Sequence, residues 1–161
     1  MSDAATRALE RPIRLVGTRT TTLDGTDLAA LEHRSREIEI VCATGDRFTE
    51  RWRGVPVPTL LESAAPSPET THLLVDSRDG LRACVAVEDA LEGLLAVAKG
   101  GRPLSMVGDH ATRFVAPGVD GVRTVKGVAR VEAATLAPGE DPESYERRGE
   151  PADENPGGQR M

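Results

Sequence analysis

Short apolar runs rich in β-branched residues recur between turn signals along the middle of the chain. They lie at Pro12–Gly17, Glu37–Cys42, Thr71–Asp76, Leu81–Val87, Leu94–Ala98, Leu104–Val107, Arg113–Val115 and Val122–Glu132. Runs of this length and composition, punctuated by pairs such as Asp79-Gly80, predict β-strands. Helical signals are few and brief. Thr26 is placed to cap a helix through Glu32, Pro58 to start a turn through Glu62, and Val87–Leu91 reads as another short helix. Many short strands with a few small helices predict an α+β fold, mainly β, built on a folded-over mixed sheet.

The 161 residues suffice for one domain. Three zones are expected: a flexible charged arm at 1–11, a patterned domain at 12–133, and a disordered acidic tail at 134–161. The tail holds four of the eleven prolines and almost no large apolar side chains, so it buries too little surface to offset its ordering entropy. Of the net charge of -6, the tail accounts for -4 and the remaining body for only -2. A near-neutral body without a basic cluster, and aromatic residues at 2%, argue against a nucleic-acid partner. No apolar stretch is long enough to span a bilayer. The first residues lack a signal-peptide pattern and the two cysteines make no disulfide framework, so the expected location is cytoplasmic.

The segment Ile40–Val57 carries the most chemistry. Cys42 ends an apolar strand and is followed by a Gly45-Asp46-Arg47 turn; Trp52 then precedes Arg53-Gly54-Val55-Pro56. Arg47, Arg51, Arg53 and, further on, Arg113 are candidates to converge on the thiol. Positive neighbours favour the thiolate, the form that binds a soft metal or attacks an electrophile, and guanidinium groups recognise oxyanions bidentately. Beside that reading stands a plainer one, in which a cysteine at a strand end is core and arginines pair with surface carboxylates. No phosphate-cradling glycine motif, G-x-S-x-G elbow or paired Cys/His zinc spacing occurs.

The ordered pieces resemble the sulfite oxidase-type molybdopterin-binding oxidoreductase domain. Leu28–Leu31 is similar to its opening short helix, and Val41–Arg47 to its metal-ligating cysteine loop. Trp52–Val57 with Leu60-Leu61-Glu62 resembles its tryptophan-glycine-valine-proline signature. Ser77–Gly80, Gly101–Leu104, Arg113–Gly118 and Val125-Lys126 follow in the family's order. The resemblance covers about residues 13–133.

The resemblance implies a molybdenum-molybdopterin cofactor with Cys42 as the metal ligand. It implies Arg47 near a substrate oxyanion as a catalytic residue, and Arg113 and Lys126 as cofactor-binding positions. His110 is a further cofactor-contact candidate, two positions beyond the family's histidine, where Gly108 stands; Gly127 replaces an aromatic residue that often follows the lysine. The implied reaction is oxygen-atom transfer on a small oxyanion or sulfoxide-type substrate, with electrons passed to a separate carrier such as a haem protein. The alternative expectation is a cofactor-free member of the same fold acting as a binding or scaffold module. A third is a thiol-redox protein using Cys42 alone, although no resolving cysteine is near in sequence.

Overall fold

The computed structural model describes residues 11–42 and 44–148. The expected class, α+β and mainly β, is the one observed. Two sheets face each other. The first has the spatial order β2 (Thr20–Leu23), β1 (Ile13–Val16), β10 (Val128–Ala134), β5 (His72–Ser77) and β6 (Arg82–Ala86). Only β1 and β10 run parallel in it; the other neighbours are antiparallel. The second runs β3 (Arg34–Val41), β4 (Arg47–Pro56), β7 (Leu94–Lys99), with β8 (Arg102–Pro103) and β9 (Arg113–Val115) sharing the far side of β7.

Strand alternation decides which side chains meet. Ile13, Leu15, Leu73, Val75, Ala83 and Val85 of the first sheet pack against Val55, Leu95, Val97 and Phe114 of the second in one continuous core. The helices α1 (Gly25–Ala30), α2 (Val57–Leu61) and α3 (Val87–Ala90) contribute Leu28, Val57, Leu60, Leu61 and Ala90 to it. The opposite face of the second sheet carries a smaller cluster of Ile38, Ile40, Trp52, Leu94, Ala96 and Val115 with Leu104 of α4 (Leu104–Val107). With so few aromatic rings in the chain, both cores rely on aliphatic packing, whose density makes volume changes costly.

Several local expectations shift. Asp24, not Thr26, caps α1: its carboxylate accepts from the Asp27 amide at 2.8 Å, and Asp27 returns the bond at 3.1 Å. The run Leu104–Val107 is a single helical turn that starts directly after the extended Pro103 at its N-cap. Residues 121–127 form a 3-10 turn at Gly121–Arg123 and an irregular link before β10. The segment from 134 also differs from a disordered tail as far as Arg148. Leu136 is buried against Leu74 and Cys84, Tyr145 packs beside them, and Pro142–Tyr145 forms a 3-10 turn. Arg147 pairs with Arg82 on the edge of the first sheet, so the segment covers an open strand edge. The remainder of that tail, 149–161, and all but Arg11 of the N-terminal arm lie outside the described residues.

Gly54 marks the tightest crossing between β4 and β7. A Cβ there would stand 2.0 Å from the Leu95 carbonyl oxygen and 2.6 Å from the Ala96 Cα, both backbone atoms that cannot step aside. The β4–β7 register slips between Arg53 and Gly54 at this point. Gly54→Ala is expected to lower unfolding stability by about 1–3 kcal/mol through overpacking, read as a lower urea midpoint with an unchanged slope.

Candidate active site

The second sheet's outer face holds a cavity of about 300 Å³ at the edge of the Trp52 cluster, bounded by Trp52, Lys99, α4 and the loop 108–113. That size is at the small end of ligand pockets. Its polar lining is unbalanced. Lys99, Arg113 and Lys126, with the imidazole of His110, face a single carboxylate, Asp109.

Each cation arrives by a different route. Lys99 ends β7 directly opposite Trp52 in the β4–β7 register, which places its ammonium 5.8 Å from the indole centroid. Arg113 opens β9, and its guanidinium lies 5.5 Å from the same centroid. Cation–π contacts of this kind are electrostatic and strengthen where water is excluded. Lys126 is brought alongside by a backbone bridge to Arg113. His110 is seated by Gly127, whose φ of +67° is the left-handed conformation. A Cβ at Gly127 would lie 2.7 Å from His110 Nδ1, so the imidazole occupies space that a side chain there would need.

Arg113 is the central charge. Its Nη2 donates to Thr124 Oγ1 at 2.7 Å and its Nε to the Thr124 carbonyl at 3.2 Å. Among the described residues it has no carboxylate partner. Burial pushes its pKa down, while the nearby Cys42 thiol acts in the opposite direction. A partly desolvated cation held only by neutral groups is poised for an anion.

Cys42 stands at the start of the β3–β4 hairpin turn and is partly exposed. Its amide donates to the Asp46 carbonyl at 2.8 Å, and its carbonyl accepts from Gly45 at 2.8 Å. The turn beginning at Gly121 packs against this loop: a Cβ at Gly121 would lie 3.2 Å from the Val41 oxygen and 3.5 Å from the Cys42 Cα. Cys42 is within electrostatic reach of Arg113 but is not among the residues lining the cationic cavity.

The expected convergence of four arginines does not occur. Arg47, Arg51 and Arg53 share the exposed face of β4, because strand side chains alternate, whereas Trp52 points to the opposite face. Arg47 meets Glu39 at 3.4 Å and Arg51 meets Glu37 at 3.8 Å across the hairpin. Arg47 lines a separate cavity of about 290 Å³ with Glu39, Pro117 and Asp120. So the structure gathers His110, Arg113 and Lys126, sets Cys42 nearby, and leaves Arg47 apart. Lys99 and Thr124 join them without a sequence motif to mark them. Lys99 had one signal, a lone cation closing an apolar strand; Thr124 had none, since its role depends on a turn that brings it to Arg113.

These residues fit an anionic cofactor at the cavity. The Trp52 Nε1 donor is fully buried and has no hydrogen-bond partner among the described residues, a condition that costs about 1–3 kcal/mol unless an acceptor arrives. The lone thiolate candidate also suits a metal whose other ligands come with the cofactor, because no cluster of three or more protein metal ligands exists among the described residues. The cavity and thiol occur in a recognised setting. The family described as "oxidoreductase molybdopterin binding domain" matches residues 12–139, and the chain belongs to it. The fold is shared with the crystal structure of the sulfane dehydrogenase SoxCD from Paracoccus pantotrophus. The TM-score is 0.69 at 20% identity, covering 82% of this chain and 40% of that one. This chain therefore spans about two-fifths of that neighbour's length. Comparison with the curated proteins gives no significant match. No helix among the described residues is long and apolar enough to cross a membrane.

The second thiol is chemically separate. Cys84 is 6% exposed, and burial, followed by the nearby Glu146 carboxylate, pushes its pKa up to about 11. At pH 8, N-ethylmaleimide is expected to label Cys42 and spare Cys84 in the folded protein, and Cys84 labelling should appear once the chain is unfolded in denaturant. Peptide mass mapping reads both sites; equal labelling at pH 8 contradicts this assignment.

Proposed function

We propose that this chain is a molybdopterin-dependent oxidoreductase domain that holds the anionic part of its cofactor in the cavity of Lys99, His110, Arg113 and Lys126, with Cys42 as the protein ligand to molybdenum. The observation that carries this reading is the unpaired charge: two lysines, an arginine and an imidazole around one carboxylate, with Arg113 lacking an acid partner among the described residues. Membership in the molybdopterin-binding family supports the cofactor's identity.

When bound, the cofactor supplies two-electron oxygen-atom transfer at a metal–sulfur centre. The protein's share is binding and orientation. Arg113 presents its guanidinium to an anion while Thr124 fixes the donor plane and Trp52 supports its face. Lys99 and Lys126 add charge that offsets the desolvation of a phosphate or pterin oxygen. His110 contributes a ring nitrogen at the cavity wall. The hairpin hydrogen bonds at Cys42 hold its backbone in a fixed turn, so a ligating sulfur is delivered with little reorganisation.

The substrate class proposed is a small oxyanion or sulfoxide-type molecule, with a separate electron carrier as partner. The neighbour's name, a sulfane dehydrogenase, favours a sulfur compound. Both cysteines are unpaired, which suits a reducing compartment such as the cytoplasm.

One observation favours a second reading, a cofactor-free binding module: Cys42 does not line the cationic cavity. The two readings separate on one preparation. Protein from a molybdenum-competent host should carry near-stoichiometric molybdenum and pterin, and Cys42→Ser should lose the metal while remaining folded. Arg113→Gln should reduce pterin occupancy about tenfold, as expected for loss of a charge-assisted hydrogen bond. Folded protein with only traces of both would leave the module reading standing.

A further inference from the structure

The turn at residues 120–124 joins the two sheets. On one side Gly121 abuts the β3–β4 hairpin at Val41 and Cys42. On the other, Arg123 reaches the segment that covers the first sheet. Arg123 Nε donates to Glu146 Oε2 at 2.7 Å and Nη2 to Glu146 Oε1 at 2.8 Å. Glu146 is itself pinned, since its Oε2 also accepts from the Cys84 amide of β6 at 2.8 Å.

Within the turn, Thr124 Oγ1 donates to the Gly121 carbonyl at 2.6 Å and accepts from Arg113. The turn's geometry is therefore passed directly to the guanidinium that has no carboxylate of its own. Asp120 also meets Arg123, at 3.1 Å, but it belongs to the same turn and cannot tie it to the rest of the molecule. Glu143 contributes a contact at 3.6 Å from a side chain 75% exposed, which is worth little in water. Glu146, 18% exposed and bidentate, is the anchoring carboxylate.

We infer that Glu146 is a positioning residue of the cationic cavity: through Arg123 it fixes the 120–124 turn, and Thr124 of that turn fixes Arg113 over Trp52. The inference rests on the proposed use of the cavity for an anionic cofactor. Glu146 lies in the acidic segment, beyond residues 12–139 that the family model matches.

The chain's single tryptophan and two cysteines make the latch measurable on cofactor-free protein. In a Cys42→Ser background, acrylamide quenching of Trp52 reads the cavity, and maleimide labelling of Cys84 reads whether the covering segment has lifted. Glu146→Gln keeps volume and an acceptor for the Cys84 amide but removes the carboxylate charge that pairs with Arg123. It should raise the quenching constant about threefold, in the range of couplings carried through a positioning residue, with Cys84 still protected. Thr124→Val should give the same change, and Thr124→Ser should restore the parent value. Quenching that stays at the parent value in Glu146→Gln overturns the inference, as does Glu146→Ala exposing Cys84 with Trp52 unaffected. Either result marks Glu146 as a cover for the sheet alone. Because no cofactor enters these measurements, failure of cofactor loading bears on the proposed function and leaves this test intact.

Discussion

A guanidinium taken partly out of water without a carboxylate constrains everything around Arg113. Desolvation of a charge is expensive, and here it is offset by three neutral devices: the Thr124 hydroxyl, the Thr124 carbonyl and the face of Trp52. Each depends on backbone geometry set elsewhere. Trp52 faces the cavity because β4 alternates, and β4 lies close enough to β7 only because residue 54 lacks a Cβ. Thr124 is in place because the turn before it is pinned between sheets. The arrangement leaves the positive charge uncancelled inside the protein, which is the condition for an anionic ligand to supply the missing partner.

The same alternation removes the other arginines. Arg47 and Arg51 point away from Trp52 and meet Glu39 and Glu37 on the hairpin's exposed face. Exposed pairs of this kind contribute up to about 1 kcal/mol each, so they trim the surface charge more than they hold the hairpin. Arg47 and Arg51 are thus paired on the outer face of β4, while the cations on the face with the cavity arrive from β7 and β9.

How far the sequence reveals this depends on the range of the interaction involved. Turn signals and apolar runs act locally, so β1, β5, β6, β7 and β9 and the brief helices at 57–61 and 87–90 are legible from the chain. β4 is harder, because four charged residues interrupt its apolar positions, and Leu104–Val107 is an apolar run whose length fits either helix or strand. Arg113, Lys126 and Cys42 stand out through their ordered motifs. Lys99 enters the cavity through the cross-strand register with Trp52, and Thr124 through a turn more than ten residues from Arg113; neither relation is written in local spacing. The acidic segment misleads for a related reason. Its composition describes a chain that cannot form its own core, yet Leu136 and Tyr145 need only the small apolar patch that Leu74 and Cys84 already offer.

Charge balance, and not volume, distinguishes the cavities. A larger one, of about 460 Å³, is lined by Arg82, Arg123, Arg147 and Arg148 and looks the more basic from its arginines alone. Arg82, however, is held by Asp76 at 2.6 Å, and Arg123 by Glu146 and Asp120, with Glu143 also on the wall. The pairing raises the pKa of both guanidiniums, the mark of cations already satisfied by hydrogen-bonded carboxylates. An anion approaching Arg82 or Arg123 would have to displace these internal partners. At the smaller cavity burial lowers the pKa of Arg113 instead, so an entering anion displaces no internal carboxylate and relieves a desolvated charge. Glu146 of the C-terminal segment thus does two things at once: it pairs with Arg123 on the wall of the large cavity, and through Arg123 it holds the turn on which the small one is built.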